Sequence, residues 1–300
     1  FEAFVKRYSE DVRPRLKLNT WLTKEHIIRT KIVPFFGPKR MCDISPKDVV
    51  DWQNKMVGSY DDEGKPYSGT YLRTINNQLS AIFNHAVKYY GLGKSPATPT
   101  IKIGERKGAE MRFWTKEQYL AFSEEVMDKP ASFYAFEILY WCGLRVGELL
   151  ALEPNDIDLG KCLIHVTKSY QRIRRRDVIT SPKTPKSKRD VVMPEFLADE
   201  LADFLGSIPE ERRACRIFCF TKSYLHHEMK RGCAACGLEP IRIHDLRHSH
   251  VSLLIEMGFS AIAIADRLGH ETYEMTLRYA HLFPSKQSDM AAALDQRRRP

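Results

Sequence analysis

Apolar residues recur at helical spacing through the first part of the chain. Residues 1–8 form a short amphipathic piece. Residues 20–35 place Trp21, Leu22, Ile27, Ile28, Ile32 and Val33 on one side of a helix. A third helix starts after Asp43, with Ser45 as its cap and Pro46 in the first helical position, and runs to about Met56. Residues 58–68 are polar, with Asp61, Asp62 and Gly64, and read as a loop. Residues 70–90 follow as a long helix whose buried stripe is Leu72, Ile75, Leu79, Ile82, Phe83 and Val87.

The pattern breaks after residue 92. Residues 93–112 carry Gly93, Pro96, Pro99 and Gly104 together with Lys102, Arg106 and Lys107, as expected of a basic interdomain linker. Thr115 and Gln118 then form a capping box, and residues 131–141 are an apolar helix that stops at Cys142–Gly143. Strand-like runs at 163–166, 172–179 and 191–193 come next. After them come a helix at 194–204, a short buried segment at 216–220, and a helix at 224–233 for which Thr221 is the expected cap. The expected class is therefore mainly α with a small antiparallel sheet (α+β). The expected domains are a helical one at 1–92, the linker at 93–112, and a mixed one at 113–300.

Composition narrows the partner. Forty-seven Lys and Arg stand against 38 Asp and Glu, a formal charge of +9. That balance favours an anionic partner, nucleic acid before membrane. No apolar run is long enough to span a bilayer. Seven cysteines without a regular framework suit a reducing compartment. The chain begins at Phe1 and not at Met, as a fragment of something longer would.

The chemistry concentrates near the C-terminus. His244 and Arg247 lie three apart, on one helical face. Val251, Leu253, Leu254 and Met257 are the apolar residues expected to bury the opposite face. Gly258 is the expected stop and Ser260 the expected cap for a second short helix ending near Leu268. Gly269–His270 follows, then Tyr279 nine residues on, expected on a third short helix. An Arg matches phosphate oxygens bidentately, a His moves protons near neutral pH, and a Tyr is a nucleophile once deprotonated. Together they point to phosphoryl transfer through a phosphotyrosine.

His244-Asp-Leu-Arg247-His, Leu268-Gly-His270 and Tyr279 resemble box II of the tyrosine recombinases, the phage integrase family. Cys142-Gly-Leu-Arg145-Val-Gly-Glu-Leu resembles box I. The likeness is close in the second half and looser in the first hundred residues. It implies a helical core-binding domain and a catalytic domain closing on DNA as a C-shaped clamp. It also implies a site-specific recombinase, most like the integrases of phages and conjugative transposons, that cuts and rejoins strands without ATP, metal or cofactor. Tyr279 would be the nucleophile, Arg145 and Arg247 the phosphate ligands, and His244 a proton-transfer residue. His270 would hydrogen-bond the phosphate. Lys183 would protonate the leaving oxygen, with Lys186 and Lys188 as competitors. The implied partners are double-stranded DNA and further copies of the protein, two per site and four in synapsis, joined through a C-terminal helix near 285–295. The implied setting is the bacterial cytoplasm and nucleoid. Such integrases carry an extra N-terminal arm-binding domain, which the resemblance leads one to expect before residue 1 of a longer chain.

Other readings of the same residues stay open. Residues 171–189 hold eight Lys/Arg and one acidic residue, which alone is a solvated basic hairpin. Lys186, Lys188 and Arg189, with Lys102, Arg106 and Lys107, are the candidate DNA contacts. Arg145 with Glu148 alone reads as a surface pair worth at most about 1 kcal/mol, with Glu148 a structural partner. Cys215, Cys219, Cys233 and Cys236 imitate a zinc set, but Cys219, Cys233 and Cys236 also suit small buried hydrophobes. His244 and His248 would share a helical face as metal ligands do, but Asp245 is expected to point elsewhere. Tyr273 is the rival nucleophile. At the level of function, a type IB topoisomerase and a DNA-binding protein without cleavage are the alternatives.

Overall fold

The computed structural model describes residues 1–105, 111–182, 184–212, 215–272, 274–277 and 279. Two compact units divide the chain, Phe1–Ala109 and Glu110–Pro300.

The first unit is helical. Its elements are α1 (Glu2–Val12), α2 (Leu18–Ile27), α3 (Val33–Phe36), α4 (Pro46–Val57) and α5 (Gly69–Tyr90). Between α2 and α3 the helix widens into a π turn, Ile28–Ile32. Pro34 explains it: a proline inside a helix has no N–H to give and crowds the carbonyl four residues back. The expected capping at Ser45 is present and is reciprocal with Asp48. Ser68 caps α5, and Gly91 ends it with φ +69°. The α5 stripe differs in one place: Ala86 is buried, whereas Val87 is exposed. Ile32, Phe36, Trp52, Ile75, Leu79 and Phe83 fill the core.

Residues 93–105, in the stretch expected to link the domains, group with this unit. Gln53 Nε2 donates to the Ile101 carbonyl at 2.9 Å and to Asn76 Oδ1 at 2.8 Å. Gly104 lies so close to the start of α5 that a Cβ there would sit 2.1 Å from the Gly69 carbonyl. The buried Gln53 amide needs partners, and it draws this stretch onto α4 and α5. Lys102 is exposed on it. Arg106 and Lys107 lie outside the described residues.

The second unit is mixed. Helices α6 (Lys116–Glu124) and α7 (Pro130–Trp141) lead to the short α8 (Val146–Leu149). The Thr115 capping box is formed with Gln118. Five strands follow: β1 (Ile157–Asp158), β2 (Leu163–Val166), β3 (Ser169–Ile173), β4 (Arg176–Thr180) and β5 (Arg189–Val192). The first, second and fifth form one antiparallel sheet in the order β1-β2-β5, and β3 pairs with β4 as a hairpin. The single strand expected at 172–179 is thus two strands with a turn between them. Arg174 and Arg175 occupy the turn at φ +48° and +65°. Such turns normally show Asn-Gly or Asp-Gly, so Arg-Arg gave no signal.

Helices α9 (Glu195–Gly206), α10 (Lys222–Cys236), α11 (Asp245–Glu256), α12 (Ala261–Leu268) and α13 (Glu274–Leu277) complete the described part. Thr221 stands at the start of α10 without a side-chain cap. The core gathers around α7, where Ala135, Phe136, Ile138, Leu139 and Tyr140 are all buried. Burying a side chain the size of Phe136, Ile138 or Leu139 contributes about 1.5–3 kcal/mol. Within 216–220 only Ile217 and Phe218 are buried; Cys219 is exposed, contrary to expectation, and so is Cys215. Among the described residues no helix is long and apolar enough to cross a membrane, and no group of three or more His, Cys, Asp or Glu is placed to hold a metal.

Candidate active site

Two glycine turns build the frame. Gly143 ends α7 at φ +65°, and a Cβ there would lie 2.5 Å from His250 Cδ2. Gly269 ends α12 at φ +64°, and a Cβ there would lie 2.7 Å from the Lys186 carbonyl. Both positions need a left-handed residue with no side chain. The first turn delivers Arg145 at the head of α8, and the second delivers His270.

Arg247 ties the two turns together from α11. It is 3% exposed, and it donates to the Gly143 carbonyl at 2.7 Å and to the Leu268 carbonyl at 2.8 Å. Burial first, then the nearby charge of Arg145, lowers its pKa to about 9, still cationic at neutral pH. Arg145 donates to Glu148 Oε1 at 2.7 Å. Glu148 Oε2 accepts from Arg189 at 3.1 Å. Burial alone would raise the Glu148 pKa, but the Arg189 charge and hydrogen bond, with Arg145 and Arg247, outweigh it and hold the carboxyl below its usual range. Three guanidiniums therefore share one carboxylate. The excess positive charge in a partly dry recess suits an anion.

The imidazoles are kept neutral. Burial, then Arg247, Arg145 and Arg189, push His270 down to about 3, and its Nδ1 is hydrogen-bonded to Thr276 Oγ1 at 2.8 Å. His244 is exposed at the head of α11. Its pKa is also lowered, by partial desolvation and then by its neighbours His248 and Arg247.

Tyr279 is 4% exposed and lies just past α13, not on it; its N–H donates to the Thr276 carbonyl at 3.0 Å. Its ring packs with Val251, Ile255, Ile264 and Leu268, and its hydroxyl interacts electrostatically with Arg247. The imidazole hydrogen-bonded to the Tyr279 hydroxyl is that of His248, through Nδ1, and not that of His244. The His244 ring stands edge-on to His248, with centroids 5.0 Å apart.

The structure thus brings Arg145, His244, Arg247, His270 and Tyr279 into one neighbourhood. Lys183 and Tyr273 lie outside the described residues, as does the segment 285–295. Lys186 reaches the site's edge, with Nζ 3.5 Å from the Glu271 carbonyl, and Lys188 is exposed.

Three expectations are corrected. Arg189 is not an outward DNA contact. Its side chain is 7% exposed and bonds to Glu148 and to the Arg267 and Ser187 carbonyls. The reason is the buried Glu148 carboxylate, whose second oxygen a buried cation can meet. Asp245 does face its helix neighbour: its Oδ1 lies 3.8 Å from His248 Nε2. Met257 is exposed, and the burial expected of it falls to Ile255.

Sequence reasoning missed His248 as the residue facing Tyr279. It also missed the Arg267–His250 clasp, in which Arg267 Nε donates to His250 Nε2 at 3.0 Å and the guanidinium reaches the Trp141 and Val192 carbonyls. Spacing carried a signal for His248, since it lies one turn after His244.

The family model described as "Phage integrase family" matches residues 112–286. The chain belongs to the phage integrase family. It is a tyrosine-type site-specific recombinase. A second model, the N-terminal SAM-like domain of phage integrases, matches residues 1–57. The ICEBs1 integrase of Bacillus subtilis is 30% identical, over 98% of this chain and 82% of the relative. The integrase of Mycobacterium phage D29 is 26% identical, over 89% and 71%. Among solved structures, the Tn1549 transposon integrase in complex with a circular intermediate DNA superposes with a TM-score of 0.78 at 20% identity, covering 98% of each chain. A lambda integrase dimer bound to a core site gives 0.66 at 20% identity, over 92% of this chain and 76% of that one. These structural likenesses establish the α+β recombinase fold.

Proposed function

We propose that this integrase joins Tyr279 to a scissile DNA phosphate and exchanges strands through that ester. The observation that carries the reading is the Tyr279 hydroxyl held against an imidazole and within the field of the buried Arg247. Attack forms a Tyr279 Oη–phosphorus bond and breaks the bond to the 5′ oxygen. The 3′-phosphotyrosine keeps the bond energy for the partner strand's 5′ hydroxyl, so no ATP is consumed. Arg145 and Arg247 neutralise the charge growing on the non-bridging oxygens, and His270 hydrogen-bonds the phosphate. The family likeness gives His244 to proton transfer at the nucleophile and Lys183, or Lys186, to the leaving oxygen.

The unit Phe1–Ala109 serves as the core-binding domain, and Lys102, Lys186 and Lys188 contact phosphates. The +9 charge supports this reading. The Tn1549 integrase structure contains DNA, and lambda integrase has been seen as a dimer on a core site and a tetramer on a Holliday junction. The same assembly, through the C-terminal segment and on the DNA of a bacterial cell, is proposed for this chain.

The test is a nicked duplex, selected for binding from a randomised pool, run on a denaturing gel after incubation. A shifted protein–DNA band that is absent with Tyr279→Phe is the expected result. Clear binding with no band from the unaltered protein would refute the reading.

A further inference from the structure

The geometry points to His248 as the general base for Tyr279, backed by Asp245. This rests on the strand-cleavage reading above and assigns its first proton transfer to a different imidazole from the one the motif suggests.

Three observations line up. The Tyr279 hydroxyl is hydrogen-bonded to His248 Nδ1. The opposite nitrogen, Nε2, faces Asp245 Oδ1 at 3.8 Å. Asp245 is fully buried and fixed by Arg242, whose Nε donates to it at 3.0 Å and whose Nη2 donates at 2.8 Å. At 3.8 Å this is a charge contact and not a hydrogen bond, but a buried carboxylate beside Nε2 favours the tautomer with its proton on that nitrogen, leaving Nδ1 to accept. With the proton on Nε2 toward Asp245, Nδ1 is the acceptor that the phenol needs. His244, by contrast, meets His248 ring edge to ring face and makes no hydrogen bond to Tyr279 among those described.

The groups facing His248 are Asp245, Arg242, Arg247, His244 and Tyr279. Burial lowers its pKa, Asp245 opposes this, and Arg242 and Arg247 add to it. The ring is therefore neutral at the outset and able to accept. In the forward step the Tyr279 O–H bond breaks and its proton moves to Nδ1. The Oη–phosphorus bond forms as the bond to the 5′ oxygen breaks, and the 5′ oxygen takes a proton from the general acid. In resealing, the incoming 5′ hydroxyl returns its proton to the deprotonated general acid as its oxygen bonds to phosphorus, and the departing Tyr279 oxygen recovers a proton from the His248 imidazolium. Asp245 offsets the positive charge in the interval.

The experiment measures single-turnover formation of the covalent band on the selected nicked duplex. One substrate has the ordinary 5′ oxygen at the scissile bond and another has sulfur there. Thiolate leaves without a proton, so the sulfur substrate isolates the base from the acid. His248→Asn keeps a hydrogen-bonding group without basicity. It is expected to slow both substrates by about 10²-fold or more with unchanged DNA affinity, and added imidazole is expected to restore part of the rate to His248→Ala. In the unaltered protein, nitrogen NMR should show the Nε2–H tautomer at His248. A His248→Asn rate within about threefold of the unaltered protein would overturn the proposal, and so would slowing on the oxygen substrate alone. A proton found on Nδ1 would overturn it without any variant. A band that persists in Tyr279→Phe would instead refute the nucleophile assignment itself, a result distinct from a failure of His248.

Discussion

Glu148 holds Arg145 with one carboxylate oxygen and Arg189 with the other, at 2.7 and 3.1 Å. The same residue's Oε2 accepts the Arg145 backbone N–H at 3.0 Å. One buried carboxylate thus sets the pose of the Arg145 guanidinium and links α8 to β5.

Removing that carboxylate leaves buried cations without a counter-charge. Breaking one side of a buried pair costs about 3–5 kcal/mol. Glu148→Gln is expected to lower the melting temperature by several degrees, and added sulfate or phosphate should recover more of the loss than it adds to the unaltered protein. An unchanged melting curve would show that the three guanidiniums do not depend on Glu148.

Gly143 tests the box I turn. Its φ of +65° disfavours any side chain, and a Cβ would press His250 Cδ2 at 2.5 Å and Leu268 Cδ2 at 3.0 Å. The backbone cost of about 1–2 kcal/mol adds to the displacement of a packed ring. Gly143→Ala is expected to lose about 2–4 kcal/mol in urea titration and to impair cleavage, because Arg145 and the carbonyl that anchors Arg247 both ride on this turn. A loss under about 1 kcal/mol would mean that the turn relaxes freely.

Acid should destabilise the protein through its buried imidazoles. His250 and His270 are both pushed down to about 3, by burial first and by neighbouring guanidiniums second. An imidazole in the unfolded chain titrates near 6.5. Between these values the unfolded state binds more protons, so stability rises with pH. The contribution is fully present above about pH 6.5 and is lost as pH falls toward 3. At pH 5 each ring costs up to about 2 kcal/mol. Urea midpoints at pH 7.5 and 5.0 would measure it, and equal midpoints would contradict burial of neutral rings.

Much of this site is written locally, and the rest is not. Ser45, Ser68, Thr115 and Ser260 cap their helices within three residues, so spacing alone exposed or allowed three of them. Gly258 and Gly269 mark chain reversals for the same local reason. The Arg174–Arg175 turn was invisible because its residues defy the usual preference and the flanking strands dictate it. Arg189 looked like one more surface cation among eight. Its burial depends on Glu148, 41 positions away, a pairing that no short pattern encodes. His248 was hidden differently: its spacing was visible, but its partner Tyr279 arrives from the turn after α13, 31 positions away, and only tertiary packing decides which imidazole the phenol meets.

Arg247→Lys separates charge from geometry. The guanidinium donates to two carbonyls on two different turns, Gly143 and Leu268, in the fixed fork that only arginine has. A lysine keeps the positive charge but concentrates its donors at one point, so one turn loses its anchor and a buried carbonyl goes unpaired, at a cost of about 1–3 kcal/mol. DNA affinity, summed over many phosphate contacts, should change by less than about threefold, since the lost contact is one among many. Covalent-band formation should fall by at least about 10²-fold, because transition-state charge is met by donors already in place. Near-normal cleavage in Arg247→Lys would mean that a point charge suffices and that the bond pair from Arg247 to the two turns is scaffolding alone.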